Sequence, residues 1–337
     1  IELNEHQGSA IRGALFHALR NRFCGNREAE ECALCPLVVT CPVAFLVSTI
    51  RPESDRGRDV PRPFTIQPPL PGSGHPVERE GRFFFRYGPG ETLEFGLTLY
   101  AQALQLFPYV VLAVNEFERG GIGRKVEQAD GRWRRGRLAV QEVWAENPLT
   151  GERQPVLRAG NKMVQVPDIP ISHPQITDYV LRITPHVSRL TPHVSRLTPH
   201  VSRLTLHFLT PTRIIERRRL VKPEMFRFQP FFQRLMERLE ALSREFSDTP
   251  LVFDDPRGLI EAAGRVDVVE NRLLWEELRS YSTRRHAESP ISGLVGLVTL
   301  EAADWSPFLP CLAWGQFTHV GKDAVKGNGW YRIEHGG

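Results

Sequence analysis

The sequence predicts two α+β domains in tandem. Each half of the chain shows the succession strand, helix, strands, and each half runs into a glycine-rich loop. Between the halves lies a short tandem repeat with the composition of a linker, which puts the domains at 1–183 and 206–337 and the linker at 184–205. A chain of 337 residues that is 41% hydrophobic has the length for two domains and enough apolar residues to give each a core, so a disordered chain is excluded.

In the first half, Gly8 to Arg22 reads as an amphipathic helix, because Ile11, Leu15, Ala18 and Leu19 recur at helical spacing, with Ser9 as its cap. A cysteine-rich loop follows to about Cys41, and 51–81, rich in Pro, Gly and Arg, reads as loop. Phe83–Phe85 and Leu93–Leu99 read as strands. Tyr100 to Glu118 is apolar and helix-like, with Pro108 early in it; Gly120–Lys125 is a basic glycine-rich turn, and Arg137–Trp144 is strand-like.

The linker holds Pro-His-Val-Ser-Arg-Leu-Thr three times, at Pro185–Thr191, Pro192–Thr198 and Pro199–Thr205. The unit is too short for a solenoid, and a proline in every unit forbids a long helix. It reads as a duplicated linker or an extended edge strand; its histidines, His186, His193 and His200, would otherwise suggest metal binding. Beyond it, Thr205–Leu209 alternates like a strand and Thr210–Thr212 turns. Phe228–Phe246 is a helix, with Phe231, Leu235, Leu239 and Leu242 spaced by three and four. Leu259–Val266 reads as another helix and Gly293–Leu300 as a strand, while Leu309–Trp314 begins a last helix or strand.

The closing segment is the most informative chemically. Gly321, Gly327 and Gly329 permit close backbone approach, and Lys322, Lys326 and Arg332 add positive charge, so the loop reads as a phosphate-binding surface. Its spacing is neither that of a Walker loop nor that of a dinucleotide fingerprint, which favours a polymer backbone over a nucleotide. A net charge of +4 permits nucleic acid without requiring it. Arg119–Arg137 concentrates arginines around Trp133, a residue able to stack on a base, and Arg217-Arg218-Arg219 is a second basic run. No apolar run reaches the roughly 18 residues of a membrane span, and no secretory signal is visible in a chain that starts at Ile1. Five cysteines, four of them clustered, argue against a secreted disulfide scaffold and for the cytoplasm. Cys24, Cys32, Cys35 and Cys41 read either as a structural zinc site or as reduced, partly buried thiols.

Several segments, in order, resemble a known family. Phe208–Ile214, Ser282-Thr283-Arg284-Arg285, Ser292–Gly296, His319–Lys322 and Gly327-Asn328-Gly329 are similar to the C-terminal domain of the CRISPR-associated endoribonucleases that process precursor CRISPR RNA, the sixth Cas family of the RAMP superfamily. In the first half, Gly8–Leu15, Cys32–Leu37 with Cys41-Pro42, and Gly121–Gly123 are similar as well. The resemblance implies two tandem ferredoxin-like (RRM-like, βαββαβ) domains with RNA across their cleft. It implies a metal-independent cut in which a 2′-hydroxyl attacks the adjacent phosphate, leaving a 2′,3′-cyclic phosphate and a 5′-hydroxyl.

Such chemistry needs a proton acceptor and cations for the phosphate charge. The resemblance puts the catalytic groups on or beside the first helix, which leaves His17 and His6 as candidates. RNA contacts are expected at Arg12, Arg124, Lys125, Arg284, Arg285, His319, Gly321, Lys322, Lys326, Gly327 and Gly329. Expected partners are CRISPR repeat RNA or its processed product, other Cas effector subunits and a second copy of the chain, with no membrane and no cofactor for catalysis. The rival reading is a non-catalytic RAMP subunit that holds the processed guide; a zinc-dependent hydrolase is a third, and no catalytic zinc pattern supports it.

Overall fold

The computed structural model describes residues 1–48, 54, 60–70, 72–79, 81–128, 130–147, 150–161, 163–168, 202–282 and 287–335. Its N-terminal part begins with strand β1, Glu2–Asn4, and helix α1, Gln7–Phe23. After the cysteine loop come α2, Pro42–Val47, and strands β2, Phe64–Gln67, β3, His75–Arg79, β4, Arg82–Arg86, and β5, Gly96–Leu99. A 3-10 turn at Ala101–Leu106 leads into α3, Phe107–Asn115, and the short α4, Phe117–Gly120. Strands β6, Ile122–Glu127, and β7, Trp133–Gly136, form a hairpin, and so do β8, Val143–Glu146, and β9, Arg153–Leu157.

Strand β4 lies between β1 and β3, all antiparallel. On its other side β1 is flanked by β6, so closely that a Cβ at Gly123 would strike the carbonyl oxygen of Glu2. The spatial order β6-β1-β4-β3, with α1 after β1 and α3 before β6, is the ferredoxin-like arrangement, and the β2–β5 pair is an insertion into it. Leu3, Ile11, Leu15, Leu19, Phe117 and Ile122 form its core.

The C-terminal part repeats this topology. Strand β10, Ser202–Thr212, is followed by a small hairpin of β11, Ile215–Glu216, and β12, Arg219–Leu220, and then by α5, Phe228–Phe246, and α6, Pro256–Ala263. Next come β13, Asp267–Glu276, the hairpin of β14, Arg279–Ser282, and β15, Ala287–Pro290, then β16, Gly293–Ala302, α7, Leu309–Thr318, and β17, Tyr331–His335. The sheet order is β13-β16-β10-β17, every pair antiparallel. Helix α5 turns Phe228, Phe231, Phe232, Leu235 and Leu239 onto this sheet, where Phe228 and Phe232 stack at 5.4 Å. Each such ring contributes about 1.5–3 kcal/mol by leaving water. The chain therefore has two tandem ferredoxin-like domains.

Four expectations are corrected. Helix α1 starts at Gln7, and its cap is His6, not Ser9. The stretch 51–81 contains β2 and part of the β3–β4 hairpin. Arg137–Trp144 is strand only at its end, since the ladder lies earlier, at β7. Strand β10 begins at Ser202, inside the third repeat unit, while 184–201 with His186, His193 and His200 falls outside the described residues.

The domains meet along a polar seam. Thr65 Oγ1 and Tyr100 Oη donate to the carbonyl of Phe317 at 2.7 and 2.8 Å, and Ser280 Oγ donates to Ser9 Oγ at 3.3 Å. Phe45 meets Phe246 edge-on at 5.6 Å. Among the described residues no helix is long and apolar enough to cross a membrane.

Candidate active site and nucleic-acid interface

Helix α1 buries Ile11, Leu15, Ala18 and Leu19, a stripe at spacings of three and four, against the N-terminal sheet. His17 falls outside that stripe and is exposed. Its ring rests edge-on against Phe16, 5.5 Å between centroids, and the Arg12 guanidinium lies 5.6 Å from the Phe16 ring. Partial burial, then the positive fields of Arg135, Arg12 and Arg20, hold the His17 imidazole below its ordinary value. The neutral ring, the form able to accept a proton, is thereby favoured near pH 7. Gly13 stands one turn before His17, and a Cβ there would meet nothing within 4 Å, so the face beside the imidazole is open.

The cations around His17 are positioned by different elements. Arg20 donates to the carbonyls of Arg27 and Ala29 at 3.1 and 3.2 Å, and Arg135 Nε donates to Gly123 O at 3.0 Å. On the β6–β7 hairpin, Lys125 sits directly opposite Arg135 and Glu127 opposite Trp133. Like charges directly opposite destabilise a sheet, and an anion bound between them would relieve that. Residues two apart share a strand face, so Trp133, 57% exposed, lies beside Arg135. Arg124 is committed to Phe84, its guanidinium 5.1 Å from the ring, and Arg134 is paired with Asp130 at 2.8 Å.

The glycine-rich loop has a different character from the one its sequence suggests. His319 is fully buried at positive φ, stacked on Trp330 at 6.1 Å and 10°, with Nδ1 3.2 Å from the Asn328 carbonyl. Burial, reinforced by Arg238, pushes His319 down to about 3. Asn328 is fully buried and donates to Ile291 O at 2.9 Å. A Cβ at Gly327 would run into Pro68 of the other domain, and one at Gly329 into the Val320 carbonyl. These glycines serve close packing within the protein, and none of the expected RNA-contact residues His319, Gly327 and Gly329 is exposed. Lys322 remains exposed and Gly321 half-buried, while Lys326 pairs with Asp323 at 2.9 Å.

The loop packs on the N-terminal end of α1, where a Cβ at Gly8 would collide with the Lys326 carbonyl. His6 lies in this contact, 6% exposed, and accepts from Ser9 N at 3.3 Å through Nδ1. Burial, then Lys326, lowers it to about 4, opposed by Asp323 and by the nearby Asn328 side chain. As placed it is a helix cap inside the seam and presents no free face to a substrate. His6 and His17 are not brought together, because the helix rise of 1.5 Å per residue sets them about 16 Å apart.

Residues 206–331 match the family described as CRISPR-associated endoribonuclease Cas6, and residues 1–169 match the AF_1859_N N-terminal domain. The C-terminal part of the chain belongs to the Cas6 family. Solved structures similar to it include a Cas6 product complex, 15% identical over 98% of this chain and 97% of that one, with a TM-score of 0.46. Thermus thermophilus Cas6 is 15% identical over 98% and 95%, with a TM-score of 0.44. A partial Cas6-RT-Cas1–Cas2 complex is 16% identical over 81% of this chain and 39% of that one, also at 0.44. None of the curated proteins matches.

Of the remaining residues named from the sequence, Arg284 and Arg285 lie outside the described residues. Arg12 is half-buried beside Phe16 and Lys125 is exposed. Arg217 and Arg218 occupy the exposed tip of the β11–β12 hairpin, both at positive φ. Helical spacing already sets Arg20 near His17, whereas Arg135 reaches it only through the fold. The like-charged facing pair Lys125–Arg135 is the signal that would have drawn notice to the hairpin, and it is visible only once the register is known.

Proposed function

We propose that this chain cuts precursor CRISPR RNA within its repeats without a metal, with His17 as the base. His17 takes the proton of a 2′-hydroxyl; the 2′-oxygen attacks the adjacent phosphorus; the bond to the 5′-oxygen breaks, and that oxygen leaves as a 5′-hydroxyl after taking up a proton. The other product is a 2′,3′-cyclic phosphate. Arg12, Arg20 and Arg135 supply positive charge where the phosphate becomes more negative, and Trp133 offers a flat surface for a base. The observation that carries the reading is the exposed, neutral-leaning His17 within the fields of three arginines. The proposal places the reaction in the cytoplasm, with repeat RNA as the partner and other Cas subunits or a second copy as further ones.

The test uses end-labelled repeat RNA in EDTA. A single cut leaving a cyclic phosphate is expected, lost in His17→Ala while RNA affinity stays within about twofold, as for a group acting in the transition state alone. Cleavage by His17→Ala at the wild-type rate would remove His17 from the mechanism. Tight binding with no cut by the wild type would instead assign the chain as a guide-holding subunit.

A further inference from the structure

The loop joining α1 to α2 has no core. None of its residues from Cys24 to Cys41 is buried, and Leu34, Leu37 and Val39 are 76, 48 and 66% exposed. What orders it is local: Cys35 N donates to Cys32 O at 3.2 Å, Val38 N to Cys35 O at 3.0 Å, and Cys41 N to Leu37 O at 2.9 Å. Arg20 adds two bonds from the helix, to Arg27 O and Ala29 O. A segment of this length without buried apolar side chains needs another source of order, and small coreless segments obtain it from disulfides or a metal.

Its four cysteines are half-buried free thiols. Cys24 caps the C-terminal end of α1, Cys41 caps the N-terminal end of α2, and Cys32 and Cys35 close the tight turn between them. Asn26 touches two of the thiols, its carbonyl accepting from Cys24 Sγ at 3.3 Å and its side chain reaching Cys35 Sγ, and the tight turn sets Cys32 beside Cys35. Asn26 Nδ2 stands 3.7 Å from Cys35 Sγ, an N–H donor of the kind that supports a thiolate ligand.

We propose that Cys24, Cys32, Cys35 and Cys41 form a structural zinc site that ties the end of α1 to the start of α2. Among the described residues no three His, Cys, Asp or Glu side chains already form a metal-ligating group. Binding would therefore draw the sulfurs inward to a zinc–sulfur distance of about 2.3 Å, each thiol giving up its proton. Because α1 also carries His17, the metal would fix the far end of the helix that presents it. The inference does not depend on the RNA-cutting reading, and its test contains no RNA.

The experiment measures zinc by mass spectrometry in untagged protein purified without chelator, followed by cobalt substitution. About one zinc per chain is expected, with a thiolate-to-cobalt charge-transfer band and tetrahedral ligand-field bands after exchange. Cys35→Ser and Cys41→Ser should lose both signals, and Cys311→Ser, buried in the other domain, should keep them. Should the loop variants fail to fold, the wild type suffices: a mercurial reagent should release zinc in step with titration of these thiols. Zinc-free protein that gives no cobalt–thiolate band overturns the proposal, as does zinc retained in Cys35→Ser or zinc released without thiol titration.

Discussion

Gly13→Ala separates what α1 needs for stability from what RNA needs at its surface. A glycine inside a helix costs about 0.8–1 kcal/mol relative to alanine. Here the added methyl would touch nothing within 4 Å, so no packing penalty offsets that gain. The variant should therefore be more stable by about 1 kcal/mol, which raises Tm by about 2–4 °C if the N-terminal domain unfolds as a unit of its size. The same methyl lies one turn from His17, on the face left open beside the imidazole. If the scissile phosphate packs there, cleavage should fall about ten- to a hundredfold, the scale on which a misplacement of about 1 Å acts. The assay pairs a thermal melt with single-turnover cleavage of labelled repeat RNA. Gly8→Ala on the same helix is the counter-test, because its Cβ would drive into the Lys326 carbonyl, and overpacking costs about 1–3 kcal/mol. A Gly13→Ala protein that melts no higher than the wild type would refute the helix argument. One that is stabilised and cuts at the wild-type rate would show that RNA does not lie on this face.

Further outcomes follow from the titrating groups. The acid limb of the cleavage–pH profile should lie below the ordinary histidine range, since His17 is lowered; Arg135→Gln should move that limb to higher pH, while Arg134→Gln, paired with Asp130, should leave it in place. An unchanged limb in Arg135→Gln would dissociate that arginine from His17. His6, held near 4 when folded against 6.5 unfolded, makes the unfolded state bind more protons between those values. Stability is then fully present above pH 6.5 and lost as pH falls towards 4, by up to about 3 kcal/mol. His6→Asn keeps a capping side chain and should flatten this part of the slope, leaving the share due to His319; a denaturant series with pH reads it, and an unchanged slope would count against His6.

Much of this fold was legible because its main helices obey simple periodicity. The Ile11–Leu15–Leu19 stripe and the Phe231–Leu235–Leu239–Leu242 stripe identify α1 and α5 without knowledge of any partner. Strand β13 escaped because its pairing with β16 shifts between Val268 and Glu270, which breaks the alternation that marks a strand. Strand β2 was hidden inside a stretch whose prolines and glycines signal loop. In the site, the residue types were readable and their burial was not. The glycines of the terminal loop looked like a cradle for phosphate, yet Gly327 and Gly329 are consumed by contacts with Pro68 and Val320. A side chain's burial depends on what the rest of the chain lays over it, and in this protein part of the layer covering the loop, at Gly327, comes from the other domain.

That covering layer bears on the two histidines. From the sequence, His17 within the first helix and His6 just before it are both candidates. In the fold His6 caps its N-terminal end and His17 lies in its C-terminal half, and each meets different chemistry. The N-terminal end is closed by Lys326, Asn328 and Asp323, and burial with Lys326 holds His6 as a neutral cap against the opposing pull of Asp323; the region around His17 is left open and is surrounded by cations from α1 and the β6–β7 hairpin. Helix α1 thus connects the glycine-rich loop of one domain to the His17 site of the other. A substitution in the loop, such as Gly327→Ala, would push on Pro68 and on the seam that seats the helix. It would reach His17 by displacing α1 as a body, so a loop substitution that touches no RNA should still slow the reaction.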